Sequence, residues 1–490
     1  MSDVAAADSS DLPPRSPAPQ PAWRRAARFA FHLTITALLA TIAFRAALVR
    51  GLWQPAQVTG SSMAETLVGD HWSIACHDCG YRYRVDADQP PADSMVVCPN
   101  CGFSQELSAS PAAQLKPGDG VRIDRWPTFR QRFSPSWHRG DLVAFYPHDE
   151  PNELAIKRIV GLPRETISLR DGDIWIDGQP WRKTWVEFLQ VAIVVHDDRW
   201  RPNAESPFSV RWHADDRSTA WRSAGARHVC DLTGDAGGEQ TPDALEQGRQ
   251  WLRFQPLPGY GRRPATPNTP PPPIRDVDFY NADITRTLQE VRDLMLAGSF
   301  QLSHDADVVV ELDNRRERVA FRLRPGELIE LRSLTPAIVF ATPITNYRPP
   351  ANRPVRIAMG QFDRRLVIVV DGHVVAASDW LREDESNDAA SRDSASSDAI
   401  SSDDAREAMT QDRRSPWSIG VARGHVEIAN LKILRDIHYL PPRAPRQTAT
   451  WTLGDDEYFV LGDNPPTSVD SRDWPAGGVP SRRLYGRIFW

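Results

Sequence analysis

Sixteen consecutive residues without a charge, Phe29 to Phe44, constrain this chain more than any other stretch, because such a segment decides on which side of a membrane everything after it folds. A helix needs about 20 residues to span a bilayer. Sixteen is short, but Arg28 and Arg45 can snorkel from the two ends to the interfaces, so the expected span covers residues 23–50. Arg24, Arg25 and Arg28 lie on its N-terminal side. They place the N-terminus in the cytoplasm and the remainder outside, as a single-pass protein of the cytoplasmic (inner) membrane. A cleaved secretory signal and a buried core helix are the competing readings; no clear small-x-small cleavage site precedes a plausible mature start, which favours the anchor. Residues 1–22, rich in Ala, Ser, Asp and Pro without apolar periodicity, read as a disordered cytoplasmic tail.

A chain of 490 residues is too long for one ordinary core, and its 41% hydrophobic content leaves ample material for several. The formal net charge of −6 excludes a general nucleic-acid binder, which would carry a basic excess. Four of the five cysteines form two Cys-x-x-Cys pairs, Cys76 with Cys79 and Cys98 with Cys101. Their spacing fits two knuckles giving four thiolates to a tetrahedral Zn²⁺ of structural or docking use. Two disulfides are the alternative, made more credible by the extracytoplasmic placement. The fifth cysteine, Cys230, reads as a buried thiol.

The rest of the chain reads as mainly β. A strand from Gly69 breaks off at Cys76, and a second Gly-Asp opening at Gly118 is followed by alternation, so residues 75–114 read as a zinc-ribbon insertion. Arg139 to Pro147 is a turn entering a buried strand, and Glu165 to Gly178 a hairpin around Asp-Gly turns. From 188 to 449 a separate domain is expected. The spacing of Ile284, Leu288, Val291 and Leu294 is that of a helix over 284–296. Short strands then follow at 300–303, 308–312, 319–323, 355–359, 366–375 and 426–434, which argue for a β-sandwich. The last three together resemble the closing strands of a concanavalin-like, laminin-G-type sandwich. Pro264 to Pro273 reads as a linker, and the Asp-, Glu- and Ser-rich stretch 382–414 as a solvated acidic loop.

Three separated stretches carry chemistry. Val58 to Leu67 is a small polar turn holding Gly60, Ser61 and Ser62; a serine hydroxyl there is a nucleophile only if something takes its proton. None of these stretches supplies a well-placed histidine. Ala155 to Pro163 holds Lys157 between Ile156 and Ile159-Val160, a setting apolar enough to keep an amine neutral, although an exposed strand lysine is the plainer reading of that residue alone. Gly462 to Arg472 holds Asp463, Asn464, Ser468, Asp470 and Arg472; alone it reads as an Asn-Pro-Pro turn.

In this order, the three stretches resemble the boxes of type I signal peptidases, membrane-bound proteases with a Ser-Lys dyad. The resemblance covers residues 23–74, 115–187 and about 450–490 and implies a signal-peptidase or repressor-type β-fold at 51–74, 115–187 and 450–490, split by the two insertions. By resemblance Ser62 is the nucleophile and Lys157 the general base. The oxyanion is held by the Ser62 N–H with help from Gly60 or Ser61, and Ser468 orients the lysine. Asp470 and Arg472 form an ion pair beneath the site, and Asp463 and Asn464 shape the loop. No catalytic cofactor is implied. The implied substrates are exported preproteins cut after small-x-small sites, with the phospholipid bilayer and the secretion translocon as further partners. Two departures stand out: Glu65 replaces a proline usual near the nucleophile, where a carboxylate facing the site would oppose deprotonation of Ser62, and Pro465-Pro466 replace polar residues. A self-cleaving repressor-type peptidase and an inactive membrane-tethered binding protein are the alternatives. The inserted 188–449 region is expected to supply no catalytic group.

Overall fold

The structure is a computed structural model that describes residues 22–49, 53–107, 113–126, 137–150, 152–203, 210–215, 217–233, 248–257, 271–281, 284–335, 338–340, 345–382, 415–443 and 449–489. The tail 1–21, the prolines at 264–270 and the acidic stretch beyond Arg382 lie outside those residues. The chain is mainly β, with one apolar N-terminal helix, Ala22–Val49. Its stretch Ala26–Arg45 is long and apolar enough to cross a bilayer, and no part of it is covered by protein. Thr34 and Thr41 turn their hydroxyls back onto the carbonyls of Ala30 and Ala37, 2.8 Å each. These bonds satisfy the polar atoms within the helix, as a lipid setting requires.

Seven antiparallel strands form the sheet that carries the three boxes, in the order Trp53–Gln57, Gly120–Asp124, Leu484–Phe489, Leu142–Phe145, Ala155–Gly161, Glu457–Leu461, Val479–Pro480. Strands from the two ends of the sequence are therefore interleaved, Leu484–Phe489 lying between Gly120–Asp124 and Leu142–Phe145. A four-stranded sheet packs beside it, in which Thr166–Arg170 pairs with both Asp173–Ile176 and Thr450–Thr452. The Asp171-Gly172 turn of its hairpin has positive φ at both residues, 53° and 92°; this is the type I′ geometry that Asp-Gly adopts with little strain. Trp181 and Trp451, where the chain leaves and re-enters this region, share one apolar cluster with Ile167 and Phe459.

The strand expected from Gly69 is His71–Ala75, but it lies outside the seven-stranded sheet. It pairs with Arg82–Asp86 and Gln114–Lys116 in a small sheet of the cysteine-bearing segment. The reason is a neck at its root: Asp119 N–H donates to Val68 O at 2.9 Å and Val58 N–H to Asp119 O at 3.0 Å. A Cβ on Gly118 would lie 1.9 Å from Val58 O. Only glycine lets the outgoing and returning strands cross this closely, and beyond the crossing they pair with each other.

The strands described between Ile193 and Arg435 build two sheets joined through one 19-residue strand, Trp417–Arg435. Its first part pairs with Asp307–Asp313 and Gln250–Phe254. Its later part pairs with Leu294–Leu302, Arg227–Leu232 and Ile193–Asp197. The pairing changes at Gly424, whose φ is +84° and whose Cβ would meet Ala306 Cα at 2.7 Å. One apolar core, including Trp212, Leu252, Phe300, Phe321, Trp417 and Ile428, draws on both sheets. Cys230 is fully buried in it, and burial pushes its thiol pKa up to about 12.

The expected helix over 284–296 is not formed; Leu294–Leu302 is a strand, and the residues before it have no regular structure beyond a bridge between Arg275 and Glu290. Leu294 and Leu296 face the main core, while Met295 packs on the opposite side with Phe188 and Phe362. Ile284, Leu288 and Val291, which carried the helical spacing, precede that strand in a segment bonded to the chain before it, Val291 N–H donating to Ile274 O and Asp276 N–H to Gln289 O, so their spacing is not that of a helix face. A helix that the sequence reading did not anticipate, Trp185–Val191, opens on a Thr184/Glu187 capping box.

Candidate active site

The turn after the first strand is pinned by Met63, 2% exposed, which anchors in a cluster with Val58, Leu67, Val121 and Leu142. Burying that side chain fixes the backbone on either side. Ala64 N–H donates to Ser61 O at 3.0 Å and Leu67 N–H to Met63 O at 2.9 Å, closing the turn. Ser62 is left half-buried at its apex. Its own amide donates to no acceptor among the described residues. A Cβ built on Gly60 would meet nothing within 4 Å, so the space beside that residue is open.

Lys157 sits on Ala155–Gly161, opposite Val143 of the neighbouring strand. Its Nζ donates to Ser62 Oγ at 2.6 Å, joining residues 95 apart in sequence. It is 4% exposed, and burial pushes its pKa down to about 8, against the opposing pull of Asp470; Arg472 adds to the depression. A lysine so placed is neutral in a useful fraction of molecules near neutral pH, and in that form the same short contact lets the Ser62 hydroxyl donate to the Nζ lone pair.

The Gly462 to Arg472 segment packs against both. Gly462 cannot carry a side chain, since a Cβ there would lie 2.2 Å from Ser468 Oγ and 2.5 Å from Ser62 O. Asn464 N–H donates to Ser62 O at 3.0 Å and its side-chain Nδ2 to Ser61 O at 3.1 Å, so the loop grips the turn from behind. Asp470 and Arg472 form a bidentate pair, 2.8 Å at both contacts, and both are buried. Burial alone would raise the Asp470 pKa; Arg472, the Gly462 N–H and the Ser468 hydroxyl together hold it below the usual range. Ser468 differs from expectation: its hydroxyl donates to Asp470 Oδ2 at 2.7 Å and makes no hydrogen bond to Lys157. The carboxylate is the stronger acceptor and takes the proton, so Ser468 reaches the lysine only through Asp470.

Two residues were missed from sequence. Arg158, next to the lysine and 3% exposed, forks onto Asp463 at 2.8 and 2.6 Å, and Thr66 Oγ1 donates to the same carboxylate at 2.7 Å. Successive residues of a strand face opposite ways. The signal was therefore present: an arginine adjoining a buried lysine in an apolar run needs a buried carboxylate on the other face. Glu65 does not face the dyad. The charged groups acting on Lys157 are Asp470, Arg472, Asp463 and Asp149, whereas Glu65 lines a cavity of about 490 Å³ with Tyr81, Arg84 and Arg435. Its side chain reaches solvent, but the protein packed around the cavity partly desolvates the carboxylate and raises its pKa, opposed by Arg84. Pro465 and Pro466 line the same cavity.

The four cysteines converge. Cys76 and Cys101 Sγ are 3.6 Å apart, Cys79 and Cys98 Sγ 3.7 Å, and all four lie within 4.8 Å of one another as free thiols. Each Cys-x-x-Cys is followed by a glycine of positive φ, Gly80 at 75° and Gly102 at 86°, closing matched knuckles. Zn–S bonds of about 2.3 Å in a tetrahedron put sulfurs about 3.8 Å apart, whereas a disulfide needs about 2.05 Å. The cluster is compatible with a metal site.

Residues 30–190 and 368–490, more than half of the chain, match the model of the family described as signal peptidase, peptidase S26. A signal peptidase I from Leptolyngbya laminosa is 30% identical over 98 residues, which is 19% of this chain and 45% of that protein. The chain thus spans less than half the length of that curated relative. Among solved structures, a putative glycosyl hydrolase from Parabacteroides distasonis is similar at 9% identity over 46% of this chain and 88% of its own, with a TM-score of 0.21. A carbohydrate-binding module from Bacillus subtilis is similar at 6% identity over 46% and 92%, with a TM-score of 0.18. Likeness at that level carries neither fold nor ligand across.

Proposed function

The chain belongs to the signal peptidase, peptidase S26, family, and on that premise we propose that it is a membrane-anchored serine endopeptidase that removes N-terminal signal peptides from exported preproteins after small-x-small sites. The observation that carries the reading is the 2.6 Å contact between Lys157 Nζ and Ser62 Oγ in a site that depresses the lysine pKa to about 8. Neutral Lys157 takes the Ser62 proton as Oγ attacks the scissile carbonyl. The resulting ammonium then gives that proton to the departing amine, leaving an ester on Ser62. Water attacks the ester, again with Lys157 as base, and frees the serine. General-base help of this kind is worth about 10²- to 10⁴-fold.

The developing oxyanion faces the Ser62 N–H, with the open space beside Gly60 and Ser61 admitting the substrate chain. Asn464 and Asp463 hold the turn, and Ser468, Asp470 and Arg472 floor the site. The arginines Arg24, Arg25 and Arg28 support an N-terminus in the cytoplasm and a catalytic region on the outer face of the cytoplasmic membrane, where the translocon delivers preproteins. Cys76, Cys79, Cys98 and Cys101 hold a structural Zn²⁺, and no cofactor enters the reaction. Residues 51–74, 115–187 and 450–490 make up the peptidase region, 75–114 a ribbon and 188–449 an inserted sandwich.

The test is cleavage of a preprotein by the full-length protein in detergent. Ser62→Ala and Lys157→Ala are expected to abolish turnover while remaining folded. Wild-type turnover should fall toward tenfold per unit as the pH drops below about 8, because the base becomes protonated. Turnover retained in Ser62→Ala would overturn the function, and a flat profile from about pH 6 to 9 would overturn the lysine base.

A further inference from the structure

Residues 276–281 lie outside both stretches that match the peptidase family, yet they reach the back of the nucleophile turn. Tyr280, fully buried, packs on Ala64 and Val68, the residues that follow Ser62 and Met63 in that turn. Its carbonyl accepts from Asp86 N–H at 2.9 Å. Asn281, 1% exposed, accepts a hydrogen bond from Asn464 Nδ2 at 3.0 Å and donates from its own Nδ2 to Asp86 Oδ2 at 2.6 Å. Asp278 caps the segment, accepting the N–H groups of Tyr280 at 3.0 Å and Asn281 at 3.2 Å, and its carboxylate also lies alongside the Asn464 amide.

Resting on the peptidase reading above, we propose that Asn281 is a positioning residue for catalysis, acting through Asn464 to orient the oxyanion-binding N–H of Ser62. The link is the peptide unit between Ser61 and Ser62. Asn464 Nδ2 holds the Ser61 carbonyl at 3.1 Å, and a planar trans peptide directs the N–H of the next residue the opposite way. Fixing that carbonyl therefore aims the Ser62 N–H. The Asn464 amide has two protons: one goes to Ser61 O and the other to Asn281 Oδ1. With Asn281 removed, the amide turns toward the Asp278 carboxylate and loosens its hold on Ser61. Such a change acts where negative charge develops, so it lowers kcat and leaves KM nearly unchanged. The segment held to contribute nothing to the chemistry thereby completes the site from behind.

The experiment measures kcat, KM and pH profile of the full-length protein in detergent on a preprotein, for wild type, Ser62→Ala, Asn281→Ala, Asn281→Asp and the swap Asp86→Asn with Asn281→Asp. Asn281→Ala is expected to lose roughly ten- to a hundred-fold in kcat, with KM within about twofold and the acid limb still near the wild-type pH. Asn281→Asp sets two carboxylates against each other and should also lose activity. The swap keeps the acceptor for Asn464 Nδ2 and restores the bond between positions 281 and 86 with donor and acceptor exchanged, and should recover most of it. Wild-type kcat in Asn281→Ala, a shifted acid limb, or a swap no better than Asn281→Asp would each overturn the proposal. If Asn281→Ala does not fold, the comparison of Asn281→Asp with the swap decides alone. An inactive wild type, or an active Ser62→Ala, would instead overturn the peptidase reading.

Discussion

Replacing Lys157 by methionine is expected to abolish cleavage and, at neutral pH, to make the protein more stable. The side chain is 4% exposed and its pKa falls from an ordinary 10.5 to about 8. About 2.5 units at 1.36 kcal/mol each is roughly 3 kcal/mol by which the folded state disfavours the ammonium. Between about pH 8 and 10.5 the unfolded chain holds the proton that the folded protein has lost, so wild-type stability rises with pH across that window. Below about pH 8 the lysine is charged in both states and the full penalty applies. Methionine keeps most of the stem's packing and has no charge to bury. The measurement is the denaturant midpoint of both proteins in one detergent, at intervals from pH 6 to 10.5, converted to free energy with a common slope. The advantage of Lys157→Met over wild type should shrink by roughly 3 kcal/mol from the acid to the alkaline end. Loss of the contact to Ser62 Oγ offsets the whole curve without changing its shape. A difference constant to within about 0.5 kcal/mol over that range would refute a depressed lysine and, with it, the neutral base.

Two further outcomes follow from the same geometry. Protein purified without added zinc should carry one Zn²⁺ per chain with Cys76, Cys79, Cys98 and Cys101 resistant to thiol reagents until a chelator is added; metal-free protein with those four cysteines oxidised would establish disulfides instead. Gly462→Ala should lower kcat by more than tenfold and cost about 2 kcal/mol or more, because its Cβ would fall 2.5 Å from Ser62 O; a variant with wild-type kcat and midpoint would show that the loop yields freely.

The three boxes were legible because each is a short run whose residue types state a need: a serine in a polar turn, a lysine among apolar neighbours, a cluster of small and charged residues after a glycine. The partners of those needs were less legible. Asp463 calls for a cation, and Arg158 supplies it from a strand position that alternation turns away from Lys157. Ser468 serves Asp470 rather than the lysine, a choice set by competing acceptors within a few ångströms that spacing cannot rank. Ile284, Leu288 and Val291 misled for another reason, since the segment that holds them sends its backbone bonds to Ile274 and Asp276 instead of into a helix of its own. Asn281 left no local signal, because its partners Asn464 and Asp86 lie 183 and 195 residues away in sequence.

The strand Trp417–Arg435 carries a temporal consequence. Strands from Ile193–Asp197 to Asp307–Asp313 hydrogen-bond to it, so a chain emerging from its N-terminus exposes their edges for more than a hundred residues before their shared partner arrives. Glu457–Leu461 and Leu484–Phe489, which flank the Lys157 hairpin, come later still. Contacts this distant in sequence form slowly, and unpaired edges invite aggregation in the interval. Ser62 and Lys157 are made early, but the Asn464 loop that grips the serine turn follows some three hundred residues behind Lys157. A chain still on the ribosome would hold Ser62 and Lys157 without Asn464, Asp470 and Arg472, the groups that fix the turn and set the field around the lysine, until those residues too have been made.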